Sequence, residues 1–245
     1  MAMSPTYAPL NVLKPVCDGV WIVDGPLIDF GPPWLHFPFP TRMTVVRTGE
    51  ALFVHSPTPL TTDLAEAVRG LGAPRWLIGP STIHYWWLPE WRAAFPDAGL
   101  FLAPGVIERA KGRIASPHAV LDRDEGWPWS DAIRTWVFRG RGVSEVVFFH
   151  RASRTLILTD FIENFEAERI ASPWARAIAR LGRVIDPEGS MPRDMRLAYR
   201  RERPRLRAAI EEMIALDPAR VILAHGRWYE ENGAAELRRA FGWLL

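Results

Sequence analysis

Cysteine is almost absent from this 245-residue chain: Cys17 stands alone, which excludes an intrachain disulfide and any Cys-rich zinc cluster. Any metal must then be held by imidazoles and carboxylates. No apolar run approaches the ~18 residues that a membrane-spanning helix needs. The opening stretch MAMSPTYAPLNVLKPV lacks a basic leader followed by an apolar segment, so a cytoplasmic protein is expected. Lysine is scarce as well. The basic groups are nearly all Arg, scattered or interleaved with Glu as in YRRERPRLRAAIEE, and they leave a net charge of only +2 with a pI near 9.0. That distribution speaks against a nucleic-acid groove, and neither nucleic acid nor a membrane is expected as a partner. The usual nucleophile and phosphate motifs are missing too: there is no G-x-S-x-G elbow, no P-loop and no dinucleotide fingerprint after a strand.

What is present suits a globular protein, with 48% hydrophobic and 24% charged residues. No linker divides the chain, and residues 1–245 read as a single domain. The first third is a succession of strands, VCDGVWIVDGP, TRMTVVRTG and ALFVHSP, short and rich in β-branched and aromatic residues. Between the first two lies LIDFGPPWLHFPFP, too rich in proline for a helix or a central strand, which reads as an ordered aromatic loop over residues 27–40.

From Thr61 the period changes. TTDLAEAVRGLG has a polar start, helical apolar spacing and a terminal Gly; RWLIG, LPEWRAAFP, GLFLAPG and VIERAKGRI then alternate strand and helix. This alternation argues for a layered α/β sheet with helices outside. VVFFH and TLILTD flank the short polar RASR as a hairpin. The stretch from Asn164 to Arg196 has helical signal broken by Pro173, Pro187 and Pro192; the helix ERPRLRAAIEEMIALDP, the buried strand VILAHG and the helix AAELRRAFGWLL follow. Most of the twelve Trp residues are expected in the core.

Three residues stand where chemistry would be placed. His84 follows the run WLIGPSTI, Asp160 closes TLILTD and His225 closes VILAHG. Strand ends that share one sheet edge converge in space, and two imidazoles with one carboxylate form a metal-ligand set suited to zinc or ferrous iron. Each residue also has a structural reading. His84 can bond a backbone group, Asp160 can cap a turn, and His225 before Gly226 can order a strand-to-helix turn.

Over most of its length the chain resembles the metallo-β-lactamase superfamily. The segments RMTVVRTGEALFVHSP, HYWWLPEWRAAFPDAGLFLAPG, EVVFFHRASRTLILTD and VILAHG look most like an uncharacterised branch of it, domain of unknown function 4336. The resemblance implies a four-layer αβ/βα sandwich of two mixed β-sheets with outer helices. It also implies a metal site along one edge of the sheets, built around an HxHxDH motif. Aligned on that motif, His84 takes its last His, and Gly79, Ser81 and Ile83 stand where the family has His, His and Asp. RGRGVS, with Arg141 or a neighbour, replaces a further His. Asp160 matches the metal-bridging carboxylate and His225 the final ligand.

The resemblance therefore implies part of one metal site: a single divalent ion, zinc, iron or manganese, on His84, Asp160 and His225 with water. The default chemistry of such a site is hydrolysis of a small ester, amide or phosphoester. The alternative is a metal-free, catalytically inactive member of the fold that binds a small molecule or serves as an interaction module. His55 occupies a position that supports the site from behind or adds a ligand. His36, Tyr85, Trp86 and Arg141 are candidates for lining the pocket. His150, before the hairpin turn, is expected to be exposed, and His118 has no supporting context. No catalytic residue is named, and the oligomeric state is open.

Overall fold

The computed structural model describes residues 3–30, 37–114 and 117–245. The chain starts with an antiparallel hairpin, β1 (Lys14–Cys17) and β2 (Val20–Phe30), turning at Gly19, whose φ of 73° lies in the left-handed region that glycine enters without strain. β3 (Phe37–Thr48) and β4 (Ala51–His55) continue the meander. The pattern then changes to crossovers: α1 (Thr62–Leu71), β5 (Ala73–Gly79), α2 (Leu88–Ala94), β6 (Gly99–Leu102), α3 (Val106–Ala110) and β7 (Ala119–Val120). β4, β5, β6 and β7 pair in parallel, because a helix between consecutive strands returns the chain to the same end of the sheet. Among the described residues these strands form a seven-stranded mixed sheet in sequence order.

The second sheet holds four strands in the order β11-β10-β9-β8. β8 (Ile133–Arg139), β9 (Ser144–His150) and β10 (Thr155–Ile157) are antiparallel neighbours. After α4 (Pro173–Gly182), α5 (Arg193–Ala198) and α6 (Arg203–Ala215) the chain returns as β11 (Arg220–Ile222), parallel to β10, and ends with α7 (Gly233–Ala240).

The layering follows from alternation along these strands. In β9, Val146 and Phe148 join the core between the sheets, whereas Val147 and Phe149 join the core under α6 and α7. β8 divides Val137 from Trp136 and Phe138 in the same way, and β11 divides Ile222 from Val221. Side chains alternate faces with period two, so a strand apolar at every position must be covered on both sides. α1 covers the outer face of the first sheet with Leu64 and Val68, and the Thr61 hydroxyl caps its start by accepting from the Leu64 N–H at 3.2 Å. The result is an αβ/βα sandwich.

Four sequence expectations are corrected here. VCDGVWIVDGP is a tight hairpin, not one strand. The segment read as a loop over residues 27–40 is strand on both described sides, with Pro38 opposite Asp29 and Pro40 opposite Leu27. Prolines are tolerated there because β4 pairs only with Thr44–Thr48, leaving the start of β3 with one neighbour and one row of N–H groups without a partner strand. Pro173 and Pro192 do not break helices but start them: Pro173 sits in the first turn of α4 behind the Ser172 cap, and Pro192 immediately precedes α5. His150 is buried at 5% exposure, its Nδ1 2.8 Å from the Ser153 hydroxyl, because β9 is covered along its whole length.

Phe53 of the first sheet meets Phe148 of the second and Trp129 with ring centroids 5.0 and 5.1 Å apart. Phe53→Ala removes this inter-sheet contact and is expected to cost about 3–5 kcal/mol. Urea unfolding would show a lowered midpoint at an unchanged slope; an unchanged midpoint would mean that the sheets are held together elsewhere.

Candidate functional site

His84, Asp160 and His225 come together at one edge of the sandwich, each delivered by a different turn. His84 lies in the segment between β5 and α2, and that segment is stitched to the opposite sheet. The Val146 N–H donates to the Pro80 carbonyl at 2.7 Å and the Thr82 N–H to the Ser144 carbonyl at 3.2 Å. Asp160 and His225 each lie three residues beyond a rung of the parallel β10–β11 pair, Ile157 opposite Ile222, so the ladder carries them to the same level.

The donor atoms form a small buried triangle. His84 Nε2 and His225 Nε2 are 3.2 Å apart, and each is 3.3 Å from Asp160 Oδ1. The outer nitrogens are held as well. His225 Nδ1 lies 2.7 Å from the Pro40 carbonyl of β3, and His84 Nδ1 2.8 Å from the Ser56 hydroxyl. A carbonyl can only accept, so Nδ1 of His225 carries a proton; Nε2 is then a ligand atom in the neutral ring and a donor to Asp160 Oδ1 in the imidazolium. The approach of Nε2 to the carboxylate is favourable with either an imidazolium proton or a metal ion between them. Donors of a tetrahedral shell with zinc–nitrogen distances of 2.0–2.1 Å lie about 3.3 Å apart, so this triangle fits one zinc-sized ion and leaves a position open.

Two buried anchors hold the triangle, and sequence reading missed both. Glu145 of β9 accepts from the backbone N–H groups of Thr159 at 2.7 Å, Asp160 at 3.0 Å and Phe161 at 3.4 Å, which fixes the turn that presents Asp160. Arg42 of β3 donates from one terminal nitrogen to the carbonyls of Leu223 and Gly226 at 2.7 and 2.8 Å, bracketing His225, while its other nitrogens meet Asp24. Gly226 itself has φ 80°, and a Cβ there would lie 2.1 Å from the Asn164 carbonyl oxygen. Only a glycine fits. A charged residue inside an apolar strand, Glu145 before VVFF or Arg42 before MTVV, was the available signal.

The acidic groups differ in charge state. Burial by itself would raise Asp160, but the His84 and His225 rings outweigh it and hold the carboxyl far below its usual range. Glu145 is pushed up to about 8 by burial and by Asp160, with its N–H donors offsetting only part of this. Glu163, part-exposed on the cavity wall, is raised well above the carboxylate range by burial and then by Asp160, Asp194 and Glu145.

The triangle opens into a cavity of about 500 Å³. Its wall is mostly apolar, with Phe37 and Phe39 from β3, Phe165, Val184 and Met195, interrupted by Glu163, Asp194 and Arg109. Tyr85, Trp86 and Arg141 do not line it. Tyr85 is buried with its hydroxyl 3.3 Å from the Arg109 carbonyl, Trp86 is 42% exposed under Arg113, and Arg141 faces an adjoining pocket. His36 lies outside the described residues. His55 is buried against Phe148 with no hydrogen-bond partner on either ring nitrogen among the described residues, and it is the next residue, Ser56, that supports His84.

Among the described residues one such triangle forms, and the positions that carry the remaining family ligands hold other side chains. A Cβ on Gly79 would lie 2.8 Å from a Leu102 methyl and 2.9 Å from a Leu88 methyl, so an imidazole there would require both leucines to move. Ser81 has a ligand's place, but its hydroxyl donates to Asp160 Oδ2 at 3.3 Å and accepts from the Ile83 N–H at 3.2 Å, and Ile83 gives the cavity an apolar wall.

Two packed mixed sheets with a His/Asp cluster at one edge define a metallo-β-lactamase fold, and solved structures agree. The metallo-β-lactamase from Hirschia baltica matches with a TM-score of 0.60 at 16% identity, covering 95% of this chain and 96% of that one. DIM-1 metallo-β-lactamase matches at 0.62 and 12%, covering 95% of each chain. FIM-1 from Pseudomonas aeruginosa, solved in a mono-zinc form, matches at 0.62 and 11%, covering 100% of this chain and 96% of that one. At such identities the likeness is one of fold. Within that fold the chain belongs to the family described as a domain of unknown function, DUF4336, whose model matches residues 34–173. No curated protein matches the chain.

Two outcomes test this architecture. Glu145→Ala leaves three buried N–H groups without an acceptor and is expected to cost about 1–3 kcal/mol for each, with faster hydrogen exchange at amides 159–161. Glu145→Gln keeps an accepting oxygen and should be milder; equal effects would show that the carboxyl does not hold the turn. The second concerns His55, whose ring falls from 6.5 to about 3 through burial and then the nearby His84. Below pH 6.5 the unfolded chain takes up a proton that the folded chain refuses. This contribution to stability is therefore complete above about 6.5 and is lost as pH falls toward 3, by up to about 1.4 kcal/mol per pH unit. Melting at pH 7 and pH 5 should show a smaller acid loss for His55→Leu than for the wild type, and equal losses would place the acid sensitivity elsewhere.

Proposed function

We propose that this protein is a mononuclear metal-dependent hydrolase, with one divalent ion on His84, Asp160 and His225 and a small, apolar-bodied ester, amide or phosphoester as substrate. The observation that carries the reading is the donor triangle, in which Nε2 of His225, turned inward by the Pro40 carbonyl, meets a carboxylate oxygen and a second imidazole at 3.2–3.3 Å. The spacing suits zinc, and a two-His, one-carboxylate set serves ferrous iron or manganese as well. When bound, such an ion lowers the pKa of water to about 7 and polarises a carbonyl or phosphoryl oxygen.

The chain's own residues do the rest. Ser56 and Pro40 orient the imidazoles, Arg42 and Glu145 fix the two turns, and the phenylalanine-rich wall excludes water from the substrate's body. Glu163 stands on the same wall, its carboxyl raised above the usual range by burial. A second reading, a metal-free binding protein, is favoured by the absence of the further imidazoles at Gly79 and Ser81; it keeps the cavity and assigns no chemistry to the triangle.

Elemental analysis of protein expressed without a His-tag and purified without chelator separates the two. About one equivalent of zinc, iron or manganese, lost in Asp160→Asn, is expected. Metal far below one equivalent after loading with each ion under anaerobic conditions would overturn the hydrolase reading in favour of the binding protein.

A further inference from the structure

The cavity does not end at its apolar wall. Asp194 and Ala198 of α5 form a partition, and a second pocket of about 610 Å³ lies on its other side, lined by Arg141, Arg200, Arg201 and Leu197. The two spaces are neighbours of opposite character. One is apolar and acidic at the triangle, the other carries three guanidinium groups against one carboxylate.

This second pocket is built by packing. The Arg141 N–H donates to the Ala198 carbonyl at 2.9 Å, which ties the β8–β9 turn to the end of α5. Gly140 lets the turn lie flat on the buried Tyr199 ring, where a Cβ would come within 3.0 Å. Arg200 and Arg201 follow Tyr199 directly, so one buried aromatic sets the position of all three basic residues.

Some arginines of the chain are paired and others are not. Arg134, Arg154, Arg169, Arg205, Arg207 and Arg239 each reach a carboxylate. Among the described residues the side chains of Arg141, Arg200 and Arg201 have neither an ion-pair nor a hydrogen-bond partner. Guanidinium groups fork onto oxyanions, and three of them around one space suit a phosphate better than a single surface charge would.

We propose that this pocket binds the phosphate group of an amphiphilic substrate, whose apolar body lies in the adjoining cavity and whose hydrolysable bond reaches the His84, Asp160 and His225 edge. The proposal rests on the hydrolase reading for the last clause only; binding of the phosphate needs neither metal nor turnover. It places the substrate class as an anionic amphiphile, with affinity divided between apolar burial and charge.

Calorimetric titration of the full chain with monomeric octyl phosphate, octanol and inorganic phosphate tests it. Octyl phosphate is expected to bind at least tenfold more tightly than either octanol or phosphate alone and to weaken with added salt. The triple variant Arg141→Gln, Arg200→Gln, Arg201→Gln alters exposed side chains only and should erase the advantage over octanol while keeping the melting temperature. Asp160→Asn should bind octyl phosphate like the wild type, so a failure of the metal reading leaves this result untouched. Equal binding of octyl phosphate and octanol, or an unchanged preference in the triple variant, would overturn the proposal. So would binding to phosphatidylglycerol vesicles without binding of monomeric octyl phosphate, because that would mark a surface contact and not a substrate pocket.

Discussion

The Arg42–Asp24 pair is the constraint on which the site depends. Both side chains are buried on the first sheet, and removing them from water is costly unless every donor is met. Here the guanidinium is satisfied on all sides: Asp24 takes two nitrogens, the third reaches two carbonyls of the turn after β11, and Lys14 adds a second cation to Asp24. The pair therefore couples strands of the first sheet to a turn of the second. Because hydrogen bonds tolerate only a few tenths of an ångström, the position of His225 relative to β3 is set by the same contacts that make the buried charge tolerable. Glu145 does the corresponding work for Asp160 from within the second sheet, and the Pro80–Val146 and Thr82–Ser144 bonds do it for the turn that bears His84.

Much of the architecture was legible because it is written in periodicity. The alternation from Thr61 onward, the RASR hairpin and the buried VILAHG strand are local patterns, and the layers follow once strands apolar on both faces are covered. His84, Asp160 and His225 were legible for a related reason, since each stands just past such a run. What failed was whatever depends on a partner distant in sequence. Pro38 and Pro40 look unsuited to a strand until one sees that β4 leaves that part of β3 unpaired on one side. His150 looks exposed beside a turn until the covering of β9 is known. Arg42 and Glu145 look like solvated charges because nothing near them in sequence supplies the carbonyls or N–H groups they meet.

The comparison with the fold family places the difference at a few positions. Where a metallo-β-lactamase motif needs an imidazole, Gly79 is closed in by Leu88 and Leu102, and the space is hydrocarbon. Ser81 turns to Asp160 and becomes a support. The fold has kept the edge at which strands deliver side chains, and the chain has filled part of that edge with packing. A fold fixes where a site can lie, whereas the side chains at that edge decide what it can do.

Asp160 and His225 share one further property through the rung Ile157 opposite Ile222, from which each is counted by the same three residues. The two turns are thus equal-length arms on a common axle. Leu158 and Leu223 within these arms belong to the core under α6 and α7, so insertion of a single residue in either arm would carry one side chain out of level with the other and displace a core leucine as well. These two short arms are therefore where a change in length would be felt first, and a matched pair of arm lengths is a mark by which remote relatives can be recognised when the HxHxDH signature is gone.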